Sequence, residues 1–173
     1  MKSVIIPILA TIMFFSNNSE AETIDLGAPI PKVQAVLDSG QTINLASENT
    51  KGFTLVYFYP KANTPGCTKQ ACSLRDSYEV LLEKGVTIYG VSKDSIKSQT
   101  SFKEKYSLPF PLVADSESEV INAFGVPKKL GFASRQAFLF KDGVLVWRDL
   151  AASTSKQAED VLTYLDSVAS SSQ

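Results

Sequence analysis

Phe53 to Tyr59 forms one continuous apolar and aromatic run around a single threonine. A strand with one wet face alternates polar and apolar residues, whereas this run would present large side chains to both sides. The chain must therefore cover both faces of the sheet containing it. That requirement points to helices layered on a largely parallel sheet, with Phe53 to Tyr59 as the central strand.

The segments around the run agree with this reading. Val33 to Leu37 and Thr42 to Leu45 flank Asp38-Ser39-Gly40 and read as a hairpin. From Cys67 to Lys84, apolar residues at Ala71, Leu74, Tyr78, Leu81 and Leu82 give a helical stripe ending at Gly85. Val86 to Val91 is strand-like, Ser95 to Tyr106 helix-like, and Pro109 to Ala114 returns towards the sheet. Glu117 to Phe124 is a short helix stopped by Gly125. Arg135 to Phe140 and Val144 to Arg148 are strands joined across Asp142-Gly143, and Ser155 to Val168 is a closing amphipathic helix. The fold class is α/β: a thioredoxin-like mixed sheet flanked by helices, with an N-terminal β-hairpin.

A chain of 173 residues that is 44% hydrophobic can bury one good core. One domain, residues 22–173, is expected. With 17 basic against 18 acidic side chains and no basic run, nothing would track a nucleic-acid backbone or an anionic membrane. The chain has no histidine, which removes Ser-His-Asp and Cys-His activation and every histidine-dependent metal site. Its two cysteines cannot supply four zinc ligands, and no carboxylate cluster lies near them in sequence. Thiol chemistry, a disulfide or inert packing remain.

The amino terminus reads as an export signal. Lys2 gives a short positive start, Ser3 to Phe15 is almost wholly apolar, and Ser19 and Ala21 are small residues suited to cleavage after Ala21. The apolar run is shorter than the ~20 residues of a membrane span, and Pro7 interrupts it. The mature protein is expected in an exported compartment such as the periplasm, without stable membrane association.

Candidate chemistry is concentrated between Tyr59 and Thr68, where the buried strand ends, the chain turns and a helix begins with Cys67 in its first turn. Free backbone N–H groups and the helix dipole favour thiolate over thiol there, and the thiolate is the attacking species. Pro65 has no N–H, so Gly66 and Cys67 supply the nearest donors; Gly66 also lets the backbone approach a bound oxygen closely. Thr64 could hydrogen-bond the sulfur and an incoming oxygen, or act only as a helix N-cap. Pro60 could cover the site or, like Pro65, simply form a turn.

Pro60-x-x-x-Thr64-x-x-Cys67 resembles the active-site motif of the peroxiredoxins. The wider stretch Tyr57 to Asp76, with Cys72 five residues after Cys67, is similar to the peroxiredoxin Q or bacterioferritin comigratory protein subfamily, and the likeness runs from about Gly27 to the last helix. The resemblance implies reduction of hydrogen peroxide and organic hydroperoxides without metal or organic cofactor. It implies Cys67 as peroxidatic and Cys72 as resolving cysteine, joined in a redox-active disulfide. It further implies a monomer recycled by a thioredoxin-like reductant; for an exported chain that donor would itself lie outside the cytosol. The family also places an arginine from a later strand beside the thiolate. Arg135 fits that place, where its guanidinium would hold the thiolate and orient the peroxide, unless it forms only a surface ion pair. Arg75 could share the helix face or be an ordinary exposed arginine.

Five residues along a continuous helix separate Cα atoms by about 8.6 Å and about 140° of rotation. A disulfide needs Cα atoms within about 7 Å. If both cysteines lie in one helix, its first turns must therefore unwind once Cys67 is a sulfenic acid. Two other accounts of the pair stay open: a permanent structural disulfide, whose short loop would stabilise by only about 2 kcal/mol, and a one-cysteine peroxidase with Cys72 as a buried helix residue. A thioredoxin-type thiol-disulfide oxidoreductase is the rival activity, although such enzymes use Cys-x-x-Cys. A non-enzymatic binding role is the rival from another class.

Overall fold

The computed structural model describes residues 22–48 and 51–170. The proposed export signal, residues 1–21, lies outside them. A five-stranded sheet with strand order β5-β4-β3-β8-β9 forms the centre. Its members are β3 (Phe53–Phe58), β4 (Val86–Ser92), β5 (Leu112–Ala114), β8 (Gln136–Lys141) and β9 (Val144–Asp149). β3 pairs in parallel with β4 and antiparallel with β8, so the sheet is mixed and β3 is its middle strand.

The alternation of β3 shows why its sequence is apolar throughout. Leu55, Tyr57 and Tyr59 enter one core with Leu74 of α2 (Pro65–Asp76), Leu81 of α3 (Tyr78–Glu83), Phe102 of α4 (Ile96–Tyr106) and Val161 of α6 (Gln157–Ser170). Val56 and Phe58 enter the other, with Val120 and Ile121 of α5 (Glu119–Ala123), Phe124 and Phe138. Each face is covered, as the run required.

The amino-terminal hairpin forms from β1 (Gln34–Val36) and β2 (Thr42–Asn44), with Ala35 opposite Ile43. A short helix, α1 (Leu45–Glu48), follows it. Asp38 does more than turn the chain. Its carboxylate accepts from the Leu112 N–H at 2.8 Å and pairs with Lys103 at 3.1 Å, which docks the hairpin tip on the β5 edge. At the other hairpin, Asp142 and Gly143 both have positive φ, the backbone that a two-residue turn between twisted strands needs.

Two features depart from the sequence reading. The stripe from Cys67 to Lys84 is two helices, broken at Ser77, whose φ of −105° and ψ of 11° leave the helical range. Leu74 and Leu81 are buried on either side of the break, so the periodicity carries no sign of it. A small hairpin, β6 (Lys128–Lys129) with β7 (Phe132–Ala133), also lies just before β8; its strands are too short to show any pattern.

Candidate active site

The site forms where β3 ends. Asn63 takes a left-handed φ of 60°, a conformation asparagine adopts more readily than most residues, and reverses the chain into α2. Asp94, just beyond β4, anchors this turn: its carboxylate accepts from the Ala62 N–H at 2.8 Å, the Ser92 hydroxyl at 2.7 Å and the Ser98 hydroxyl at 3.0 Å. Proline at the start of α2 needs no N–H partner.

Cys67 sits in the first turn of α2 with 2% of its surface exposed. Cys72 lies in the same helix and is half-buried, and both thiols are free. Arg135, immediately before β8, donates from Nη2 to Cys67 Sγ at 3.4 Å and from Nη1 to the Gln70 side-chain oxygen. Its backbone carbonyl accepts from the Ala152 N–H, and no carboxylate among the described residues pairs with it. The surface ion pair is thereby replaced by a contact with sulfur. The fork geometry of guanidinium lets one side chain fix a helix amide and the thiol together.

Gly66 has a steric reason besides the one anticipated. A Cβ there would lie 3.3 Å from Arg135 Nη2 and 3.3 Å from Thr154 Cγ2, so the missing side chain makes room for the guanidinium. Thr64 occupies the N-cap position of α2 but makes no side-chain cap bond; its hydroxyl donates to the Lys61 carbonyl at 2.9 Å. With its proton committed there, the oxygen is left as an acceptor. Pro60 is half-buried and shares a groove with Phe132, Arg135, Leu150 and the exposed Leu130. Arg75 stands outside the site: it bonds Asp76 and the Tyr106 carbonyl.

Three contributors were not read from the sequence. Gln70 follows Cys67 by three residues, one helical turn, and that spacing could have revealed it. Asp94 follows the strand beside β3 at the sheet end where α2 begins, a weaker signal. Gln157, fully buried at the start of α6, accepts from Gln70 Nε2 at 2.9 Å and has no local signature. Behind the sulfur, Tyr57 is fully buried, and burial above all pushes its hydroxyl well above the usual tyrosine range, keeping it neutral.

A thioredoxin-like sheet with a buried cysteine opening the helix after its middle strand, and an arginine on that sulfur, is the frame of a thiol redox enzyme. The sequence model of the AhpC/TSA family matches residues 26–148. A putative peroxiredoxin bcp from Coxiella burnetii is 40% identical over 136 residues, covering 72% of this chain and 89% of that protein. Among solved structures, PrxQ of Xylella fastidiosa superposes with a TM-score of 0.79 at 28% identity, over 86% of this chain and 99% of that one. The bacterioferritin comigratory protein of Xanthomonas campestris, described for its alkyl peroxide reduction activity, gives 0.76 at 29% identity, over 86% and 99%. The chain belongs to the AhpC/TSA family, within its Bcp and peroxiredoxin Q branch. It is a thiol-dependent peroxidase that takes a peroxide as substrate and draws electrons from a thiol reductant.

Proposed function

We propose that Cys67 is the peroxidatic nucleophile and Cys72 the thiol that resolves it. The Cys67 thiolate attacks the nearer peroxide oxygen, the O–O bond breaks, and water or an alcohol leaves with the proton. Cys67 is left as a sulfenic acid. Cys72 then attacks that sulfur, forming the disulfide and releasing water. A thioredoxin-like reductant restores both thiols by exchange. The observation that carries this reading is the Arg135 donor 3.4 Å from a buried sulfur in the first turn of a helix.

Arg135 orients the peroxide, the Gly66 and Cys67 N–H groups donate to its oxygens, Thr64 accepts its proton side, and Pro60 excludes water. The apolar wall beside Pro60, from Phe132 and Leu150, suits the carbon skeleton of an organic hydroperoxide, as does the relative known for alkyl peroxide reduction. Both cysteines lie within α2, so closing the disulfide requires its first turns to unwind. The protein acts as a monomer in an exported compartment after cleavage following Ala21, with a donor from that compartment.

Peroxide consumption with a thioredoxin system should be compared for residues 22–173 and its Cys67→Ser and Cys72→Ser variants. Cys67→Ser should abolish turnover, and Cys72→Ser should accumulate sulfenic acid and stall recycling. Unimpaired turnover of Cys72→Ser would leave a one-cysteine mechanism. Sequencing the amino terminus of protein recovered from the periplasm checks export.

A further inference from the structure

Helix α2 is tied to α6 by two side-chain contacts, one at Gln70 between the cysteines and one at Ser73 immediately after Cys72. Gln70 Nε2 donates to Gln157 Oε1 at 2.9 Å, and Ser73 Oγ accepts from the Ala158 N–H at 3.2 Å. Gln70 and Gln157 are both fully buried. Gln70 is also the residue whose oxygen receives the Arg135 guanidinium, so Arg135, Gln70 and Gln157 form a chain running from the sulfur to the base of α6. Its last atom, Gln157 Nε2, is buried without a partner among the described residues. The Gln70 contact is therefore the sole side-chain hydrogen bond of Gln157 among the described residues.

We propose that Gln157 is a positioning residue for the resolving step, a latch whose hydrogen bond to Gln70 holds α2 folded and must break before Cys72 reaches Cys67. This rests on the two-cysteine mechanism proposed above. Gln157 touches neither sulfur nor peroxide, and it acts on the helix that has to unwind. The Arg135 contacts to Cys67 and Gln70 Oε1 do not pass through Gln157, so peroxide attack on the folded helix does not depend on the latch. Opening it sacrifices a buried hydrogen bond, which slows the unwinding and lengthens the life of the sulfenic acid. During that time a second peroxide can oxidise Cys67 to sulfinic acid, releasing water or alcohol, a product that thiols do not reduce. The latch thus sets the balance between resolution and over-oxidation.

The substitution Gln157→Leu keeps most of the volume and deletes the acceptor, while Ser73→Ala removes the second tie with little disturbance. Residues 22–173 carrying either change, and the unsubstituted protein, would be mixed rapidly with hydrogen peroxide, quenched with a sulfenic-acid trap and read by mass spectrometry. Gln157→Leu should raise the rate of disulfide formation by about fivefold, the scale of one buried hydrogen bond, with a smaller rise for Ser73→Ala. Sulfinic acid per turnover should fall in proportion, with the rate of sulfenic acid formation unchanged. An unchanged disulfide rate in both variants, or an equal change in both steps, would overturn the latch. Failure of the unsubstituted protein to form a Cys67–Cys72 disulfide at all would instead remove the underlying two-cysteine reading.

Discussion

Arg135 Nη2 lies 3.4 Å from Cys67 Sγ although 68 residues separate the two in sequence. The contact exists because β8 runs antiparallel to β3 with Gln136 opposite Phe58, which delivers the residue before β8 to the end where α2 begins. Arg135→Ala should lower the second-order rate of peroxide reduction by about 10²- to 10³-fold, the usual scale for one preorganised charged donor. Arg135→Lys should recover little, because an ammonium cannot bond Gln70 and the sulfur as a fork. Competition kinetics against a reference peroxidase measures both.

Gly66→Ala places a methyl group 3.3 Å from the guanidinium and from Thr154. The arginine is displaced by a few tenths of an ångström, and the peroxide rate should fall by about tenfold. The midpoint of urea unfolding should move little, since the contacts lie at a half-buried turn. A large loss of stability at normal activity would refute the positioning role of the gap.

Asp94 holds three donors around the active-site turn, one of them the N–H of buried Ala62. Asp94→Ala should destabilise the protein by about 1–3 kcal/mol and slow peroxide attack together, because the same bonds set the turn. Asp94→Asn retains one acceptor oxygen and should fall between, by thermal melting and by single-turnover kinetics.

A Cβ at Gly90 would sit 2.6 Å from the ring and hydroxyl of Tyr57 and 2.8 Å from Leu112. Gly90→Ala should therefore cost about 1–3 kcal/mol through overpacking. Tyr57→Phe removes a buried hydroxyl that has no hydrogen-bond partner among the described residues and should be neutral or stabilising in chemical denaturation.

Oxidation should leave its mark on α2 alone. Amides from Thr68 to Ala71 are expected to lose hydrogen-exchange protection in the disulfide form, while those of β3 and β8 keep theirs. Identical exchange maps for the two redox states would rule out unwinding as the route to the disulfide.

The sequence by itself determined what depends on short-range periodicity and local chemistry. The double-sided β3, the two tight hairpins, a cysteine in the first turn of α2, and Pro60 and Thr64 beside it are all readable within one stretch of chain. Arg135 was placed beside the Cys67 thiolate through the family resemblance, and its bond to Gln70 became visible only in the folded chain. Tertiary structure alone decided the break at Ser77, the use of Gly66 as space for a guanidinium, and the chain from Arg135 through Gln70 to Gln157. Those features depend on which surfaces the sheet register and the docking of α6 bring together. A glutamine at position 157 looks the same in sequence whether it meets water or a buried amide 87 residues away.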